Sequence, residues 1–317
     1  MTSRKFWLMA RKYATLAILV LFLIIMLFLT NRFLTFQNIT NIGRQISFNA
    51  IISVGMTIVI ISGGIDLSVG SIVALSSCMT ASVLTKTNNI FLAIVTALAI
   101  GFAVGCFNGI LISFTGIAPF IITLSSSSIC LGITFVYTQA KPIPIDNETF
   151  KYLGQGNIIG IPIPIFIMIT VFIVAAFIMH NTKFGRYVYG IGGNEKAVIL
   201  AGVDAKKYKT IVYIISGILS AVTAIIYTAR LSSGVPSIGK GFEMQAITAA
   251  VIGGASLAGG QGGVWGTLIG AIIIGILNNA LNLLNISSYY QDVTTGLVVL
   301  FAVLFDRLVQ SRVSSEY

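Results

Sequence analysis

The sequence predicts an all-α fold: a polytopic membrane helical bundle of about ten transmembrane helices with both termini in the cytoplasm. Three observations carry that prediction. Of 317 residues, 56% are apolar or aromatic and only 9% are charged, where a soluble domain carries about 25% charge. The mean hydropathy is +0.97. The apolar runs are about 17 to 23 residues long, which suits membrane-crossing helices and not the roughly ten-residue alternating strands of a barrel. Ten such helices use about 200 residues. Residues 1–317 therefore read as one transmembrane domain with short connectors.

The first run, 13–29, follows Arg4, Lys5, Arg11 and Lys12. It is long, lacks a small-residue cleavage site and precedes many more runs, so it reads as an anchor with an inside N-terminus. Further crossings are predicted over 46–62, 68–85, 90–112, 117–137 and 163–179, then over 210–229, 244–254, 264–284 and 293–309. The run 244–254 is too short to cross unless it continues into the glycine-rich stretch behind it. Counting passes from an inside N-terminus places 180–209 and the C-terminus inside. The charges agree: 180–209 carries Lys183, Arg186, Lys196, Lys206, Lys207 and Lys209 against Glu195 and Asp204, and Arg307 and Arg312 follow the last run. The loops counted as outside, 138–157 and 230–243, hold few basic residues. This is the positive-inside pattern, and it accounts for the net charge of +10 without a nucleic-acid partner.

Catalytic chemistry finds little to work with. His180 is the only histidine and sits at the inside end of a run, where a solvated imidazole is the default. Cys78, Cys106 and Cys130 lie in apolar runs, are odd in number and show no metal spacing. No catalytic residue, metal site or bound cofactor is predicted. The chain has no GxxxxGK[ST] phosphate loop, so an ATP-driven step needs another protein.

Polar residues inside the apolar runs are the candidates for a translocation path. Among nine acidic residues, only Asp66 falls well within the apolar region on this map. Two compatible roles suit it: capping the helix that starts at Ser68, or standing in a solute path at a broken helix. Amides in a crossing must hydrogen-bond or face water. Asn278 and Asn282 share one helix face, Asn279 adjoins them, and Asn108 occupies a similar place in an earlier run. Such amides either tie helices together or offer an uncharged lining to a polyhydroxyl solute.

Gly101, Gly105 and Gly109 form a side-chain-free stripe, as do Gly266 and Gly270. Each marks helix packing within the chain, or else a dimer or gating contact. A weak internal echo relates GGIDLSVG (63–70) to GGASLAGG (253–260), and GCFNG (105–109) to GILNN (275–279). In 180–209, Asn194 suits the cap of a short helix over 195–201, and Gly202 suits the residue just past its end. That helix reads as a docking element for a partner, or as part of an orienting basic loop.

GGIDLSVGSIVAL (63–75), KFGRYVYGIGGNEKAVILAGV (183–203), ARLSSG (229–234), IGGASLAGGQGGVWGTLIGAIIIGILNNALNLL (252–284) and SSYYQ (287–291) resemble the ribose-type sugar permeases of bacterial ABC importers. The resemblance covers nearly the whole chain. It implies a multi-pass permease of the bacterial plasma membrane that forms a homodimer. It also implies a cytoplasmic ABC ATPase with two nucleotide-binding modules, which holds the ATP and Mg, and an extracytoplasmic sugar-binding protein. By position, 192–202 resembles the segment that couples to the ATPase, with Arg186, Asn194, Glu195, Lys196 and Gly202 as its candidate residues. It departs from the general importer pattern E-A-A-x-x-x-G, since Lys196 replaces an alanine and Gly202 falls one residue late. The alternative is an ion-coupled secondary transporter or facilitator that works through Asp66.

Overall fold

The computed structural model describes residues 33–287 continuously, and residues 20, 290, 293–298, 300 and 304 besides. The predicted crossing 13–29, apart from residue 20, and most of the far part of 293–309 lie outside the described residues, as do both termini. Among the described residues the chain is mostly helical: α1 (Phe36–Ile61), α2 (Val69–Thr87), α3 (Ile90–Thr115), α4 (Pro119–Thr138), α5 (Glu148–Gln155), α6 (Ile163–Asn181), α7 (Lys183–Leu200), α8 (Ala205–Leu231), α9 (Phe242–Ile252) and α10 (Val264–Leu283). Seven of these, all but α5, α7 and α9, are long and apolar enough to cross a membrane.

The predicted crossing 244–254 is corrected. α9 has 11 residues, about 16 Å at 1.5 Å per residue, half of a bilayer core. The glycine-rich stretch does not extend it, because Gly254, Gly259, Gly260 and Gly262 all adopt positive φ. The helix instead closes on a Schellman turn, with Gly254 N–H donating to the Val251 carbonyl and Ala255 N–H to that of Ala250.

α1 is the axis of the bundle. It starts ten residues before the predicted run, at a cap where Thr35 Oγ1 accepts from Asn38 N–H. Its apolar window is 89% buried, against 22% for α3, 28% for α4 and 33% for α6. It packs against α6, α8, α9 and α10, while α3, α4 and α6 turn residues such as Phe102, Ile129 and Val174 outward. With that much apolar side chain uncovered on helices of crossing length, lipid is the natural neighbour.

The closest helix pair is α3 with α8, where the glycine stripe lies. A Cβ at Gly101 would fall on the Gly217 carbonyl oxygen, one at Gly105 would lie 2.5 Å from the Tyr213 carbonyl oxygen, and one at Gly109 would lie 2.7 Å from Thr210 Cα. Gly266 and Gly270 play the same part against Ala249 of α9 and Gly253 just past its end. With no hydrophobic force between helices in lipid, such backbone approach gives dispersion its reach.

Helix directions collect the end of α1, the ends of α3 and α6, all of α7 and the starts of α8 and α10 at one end, with the start of α2 recessed behind them. This end carries Lys183, Arg186, Lys196, Lys206 and Lys207, and is called the basic end here. The far end holds α5, the strand pair β1 (Ile143–Pro144) with β4 (Ser233–Gly234), and the hairpin β2 (Asn157–Ile158) with β3 (Ile161–Pro162). Ile159 and Gly160 between β2 and β3 both take positive φ, as a tight two-residue hairpin turn requires.

Candidate functional site

Asp66 sits in the connector from α1 to α2 and is wholly buried. Its Oδ1 accepts from Ser68 N–H at 3.0 Å and from Ser68 Oγ at 2.5 Å, and its Oδ2 accepts from Ser216 Oγ at 2.7 Å. Asn108 Nδ2 donates to Ser68 Oγ at 2.9 Å, and its Oδ1 has no protein partner. One carboxylate thus ties the α1–α2 connector to α8, and through Ser68 to α3. The cap expectation is corrected in detail: Ser68 holds the N-cap position of α2, and Asp66 makes an Asx turn two residues ahead of it.

The structure does not bring the other amides to this knot. Asn279 exchanges two hydrogen bonds with Asn38, at 2.9 and 3.1 Å, near the far end. Asn278 is buried beside it and Asn282 is exposed. The path candidates therefore form two groups, one at Asp66 and Asn108 and one around Asn279.

At the basic end, α7 breaks at Asn194, whose φ of −159° and ψ of 94° are not helical. Asn194 Oδ1 accepts from Ala197 N–H at 3.0 Å and so caps a second, short helix. That helix ends in a Schellman turn: Gly202 takes φ +82°, its N–H donates to the Ile199 carbonyl, and Val203 N–H donates to that of Val198. Glu195 pairs with Lys209 at 2.6 Å, bracing the short helix on the foot of α8. Arg186, Asn194, Lys196 and Gly202 are exposed. So are two apolar residues at the tip, Leu200 at 89% and Ile199 at 52%. These two neighbours leave a small apolar tip uncovered beyond the crossing helices.

Behind this helix lies a glycine junction. A Cβ at Gly192 would fall on the Ile61 carbonyl oxygen and lie 2.5 Å from Gly260 N, while one at Gly259 would lie 3.1 Å from both Gly192 Cα and Gly63 Cα. Gly260 N–H donates to the Ile61 carbonyl at 2.8 Å. Gly192 is therefore wedged between the two connectors of the internal echo, 62–68 and 253–263.

Those connectors are built alike. α1 closes on a Schellman turn at Gly63 (φ +84°) and α9 on one at Gly254 (φ +93°). Asp66 then accepts from Ser68 N–H, and Ser256 Oγ from Ala258 N–H at 3.3 Å. The side-chain turns keep the register of the echo, whereas the helix caps are offset by one residue.

Several residues of the site were missed in the sequence. Ser68 and Ser216 hold Asp66, but a serine 150 positions away carries no local signal. Leu200 was legible in principle as an apolar residue just before the Gly202 stop in a basic segment. Glu243 was counted as a loop residue, yet it opens α9 beside Gly70, where its Oε2 would lie 2.7 Å from a Cβ.

Residues 38–303 match the family described as branched-chain amino acid transport system / permease component. The chain belongs to that permease family. The permease is 45% identical over 310 residues to the ribose import permease protein of Escherichia coli strain K12, covering 96% of each chain. It is 49% identical over 284 residues to that of Haemophilus influenzae strain Rd, 88% of each chain. Against that of Bacillus subtilis strain 168 it is 45% identical over 291 residues, 91% of the permease and 90% of its relative. No solved structure matches the permease. It is a multi-pass membrane protein and a transport subunit, not an enzyme.

Proposed function

We propose that this permease is the membrane subunit of an ATP-binding cassette importer that moves ribose into the cytoplasm. Near-full-length identity of 45–49% to ribose import permeases of three bacteria carries the reading. The short helix 195–200 with its exposed Leu200 supports the drive: it is capped, projects from the bundle, and stands at the basic end, where the positive-inside rule puts the cytoplasm. The permease then has about ten crossings with both termini inside, acts as a homodimer of single-domain subunits in the bacterial inner membrane, and receives sugar from an extracytoplasmic binding protein. It holds no cofactor. ATP and Mg belong to the partner.

In this mechanism the ATPase modules close on ATP and carry the short helices with them. Gly192 passes that movement to both connectors at once. The connectors end α1 and α9 and begin α2 and α10, so tilting them switches the shared cavity between its two openings. Asp66, Asn108, Asn278 and Asn279 are closed to solvent in this conformation, and in the reading they meet the path in the alternate one, with Asn282 at its far end. Arg186, Asn194, Lys196 and Gly202 face the ATPase, and Glu195 stiffens the lever.

The test is uptake into proteoliposomes holding the permease and its ATPase, with the binding protein outside and a panel of labelled ribose, allose, arabinose and galactose. Ribose uptake that needs ATP and the binding protein is expected. Preference for another sugar in the presence of every binding protein tried overturns the assignment of substrate.

A further inference from the structure

The chain between β4 and α9 dips into the middle of the bundle. Gln245, in the first turn of α9, accepts from Asn49 Nδ2 at 2.5 Å. Asn49 stands thirteen residues after the start of α1 and twelve before its end, about 18 to 20 Å from either. Gly239 gives a second measure, since a Cβ at Gly70 would fall on its carbonyl oxygen. The bonds of Asp66 with Ser216 and of Ser77 with Thr228 set α2 and α8 parallel, which puts Gly70 level with Ser220, mid-way along α8. Ile238 belongs to a buried apolar cluster that includes Ile52, Met56 and Val73. Residues 235–241 therefore enter from the far end, reach half depth and hand over to α9, which continues to the basic end.

At that depth this surface is open and polar. Ser237 and Lys240 are exposed and Met244 is 40% exposed, with Glu243 and Gln245 half-buried behind them. Among the described residues Lys240 forms no ion pair. Lipid cannot be the neighbour, because about 15 Å of hydrocarbon would separate the ammonium from either interface. Non-helical backbone at mid-depth is tolerated only where protein buries it or where it lines water. Here Pro236, Ile238 and Gly239 are buried by their own chain, while Ser237 and Lys240 are left uncovered.

We infer that residues 235–245 form the mid-membrane wall of the solute path, with Ser237 and Lys240 as the groups that meet the sugar hydroxyls. Glu243 and the Asn49–Gln245 pair form the polar floor beneath them. The inference rests on the importer reading and names its solute-facing residues. The Lys240 ammonium supplies three donors and the Ser237 hydroxyl both donates and accepts, a set suited to a neutral polyol. A second copy across the lumen presents the same face.

The test is thiol accessibility in the assembled transporter in membrane vesicles. Cys78, Cys106 and Cys130 are first replaced by serine or alanine, and S237C, K240C, F102C and I129C are made singly. The probe is a membrane-impermeant quaternary-ammonium methanethiosulfonate, with and without ribose. Cysteine at 237 and 240 is expected to react about tenfold or more faster than at the outward-facing 102 and 129, because the reactive thiolate forms in water and not in hydrocarbon. Ribose with the binding protein and ATP is expected to slow it. Equal, slow reaction at all four positions in every nucleotide state overturns the inference. Uptake by the cysteine-free parent, measured in the same vesicles, separates the two readings: transport without labelling sinks the wall alone, and labelling without ATP-driven ribose transport sinks the importer reading alone.

Discussion

Replacing Gly192 with alanine tests the coupling route with one methyl group. The added Cβ would lie 2.5 Å from Gly260 N and 2.9 Å from the Ile61 carbonyl carbon, with the Ile61 oxygen nearer still. Ordinary contact is about 3.5 Å or more, so α7 must part from its neighbours by more than about 1 Å. Backbone stands on both sides, so no rotamer change relieves the clash. Overpacking of this kind costs about 1–3 kcal/mol. A bias of that size on a two-state equilibrium amounts to about 5- to 150-fold. ATP-driven uptake by Gly192→Ala should fall by at least about fivefold, while the ATPase stays bound and hydrolysis continues. Gly193→Ala is the matched control: a Cβ there meets no heavy atom within 4 Å, and alanine favours the helix. Paired transport and hydrolysis assays in proteoliposomes read both variants. Wild-type uptake by Gly192→Ala would refute the claim that motion passes through this junction.

Three further outcomes follow from the packing. Leu200→Glu should strip the ATPase from the permease on co-purification and leave the melting temperature within about 2 °C, because an 89% exposed side chain supports no fold; undiminished association contradicts it. Gly105→Leu should destabilise the bundle by about 3 kcal/mol or more and cut membrane yield, since its Cβ would meet Tyr213 and Ile214 backbone at 2.5 and 2.8 Å. Gly132→Leu, with nothing within 4 Å, should express normally. Asn279→Ala should cost about 1 kcal/mol, and Asn38→Ala, which also removes the bond from Asn38 Nδ2 to the Phe33 carbonyl, should cost less in that background than in the wild type; fully additive losses in a thermal-shift double-mutant cycle contradict that pairing.

What the sequence revealed depended on how local the cause was. Crossing helices come from runs of apolar residues, and α2, α3, α4 and α6 end within a few residues of their predicted limits. The short helix 195–200 was legible because its cap and its stop are single residues, Asn194 and Gly202, acting on backbone three positions away. α7 before the break was not, since Lys183, Arg186 and four glycines read as a loop until Gly192 finds the connectors to pack on. The shortness of α9 was hidden because its residues are as apolar as any crossing, and only the positive φ of Gly254 ends it. Glu243 and Lys240 read as loop residues because hydropathy marks how apolar a run is, not how deep its neighbours sit. The Asp66 knot needed Ser216, whose nearness is a product of helix packing.

The most direct test of the whole account is ribose uptake into proteoliposomes under two withdrawals, one of ATP and one of the proton gradient. With the permease, ATPase and binding protein together, accumulation should persist in the presence of a protonophore and stop when ATP is absent or the ATPase is inactive. Accumulation by the permease alone, abolished by the protonophore, would contradict a gate moved from outside and would make Asp66 its coupling group.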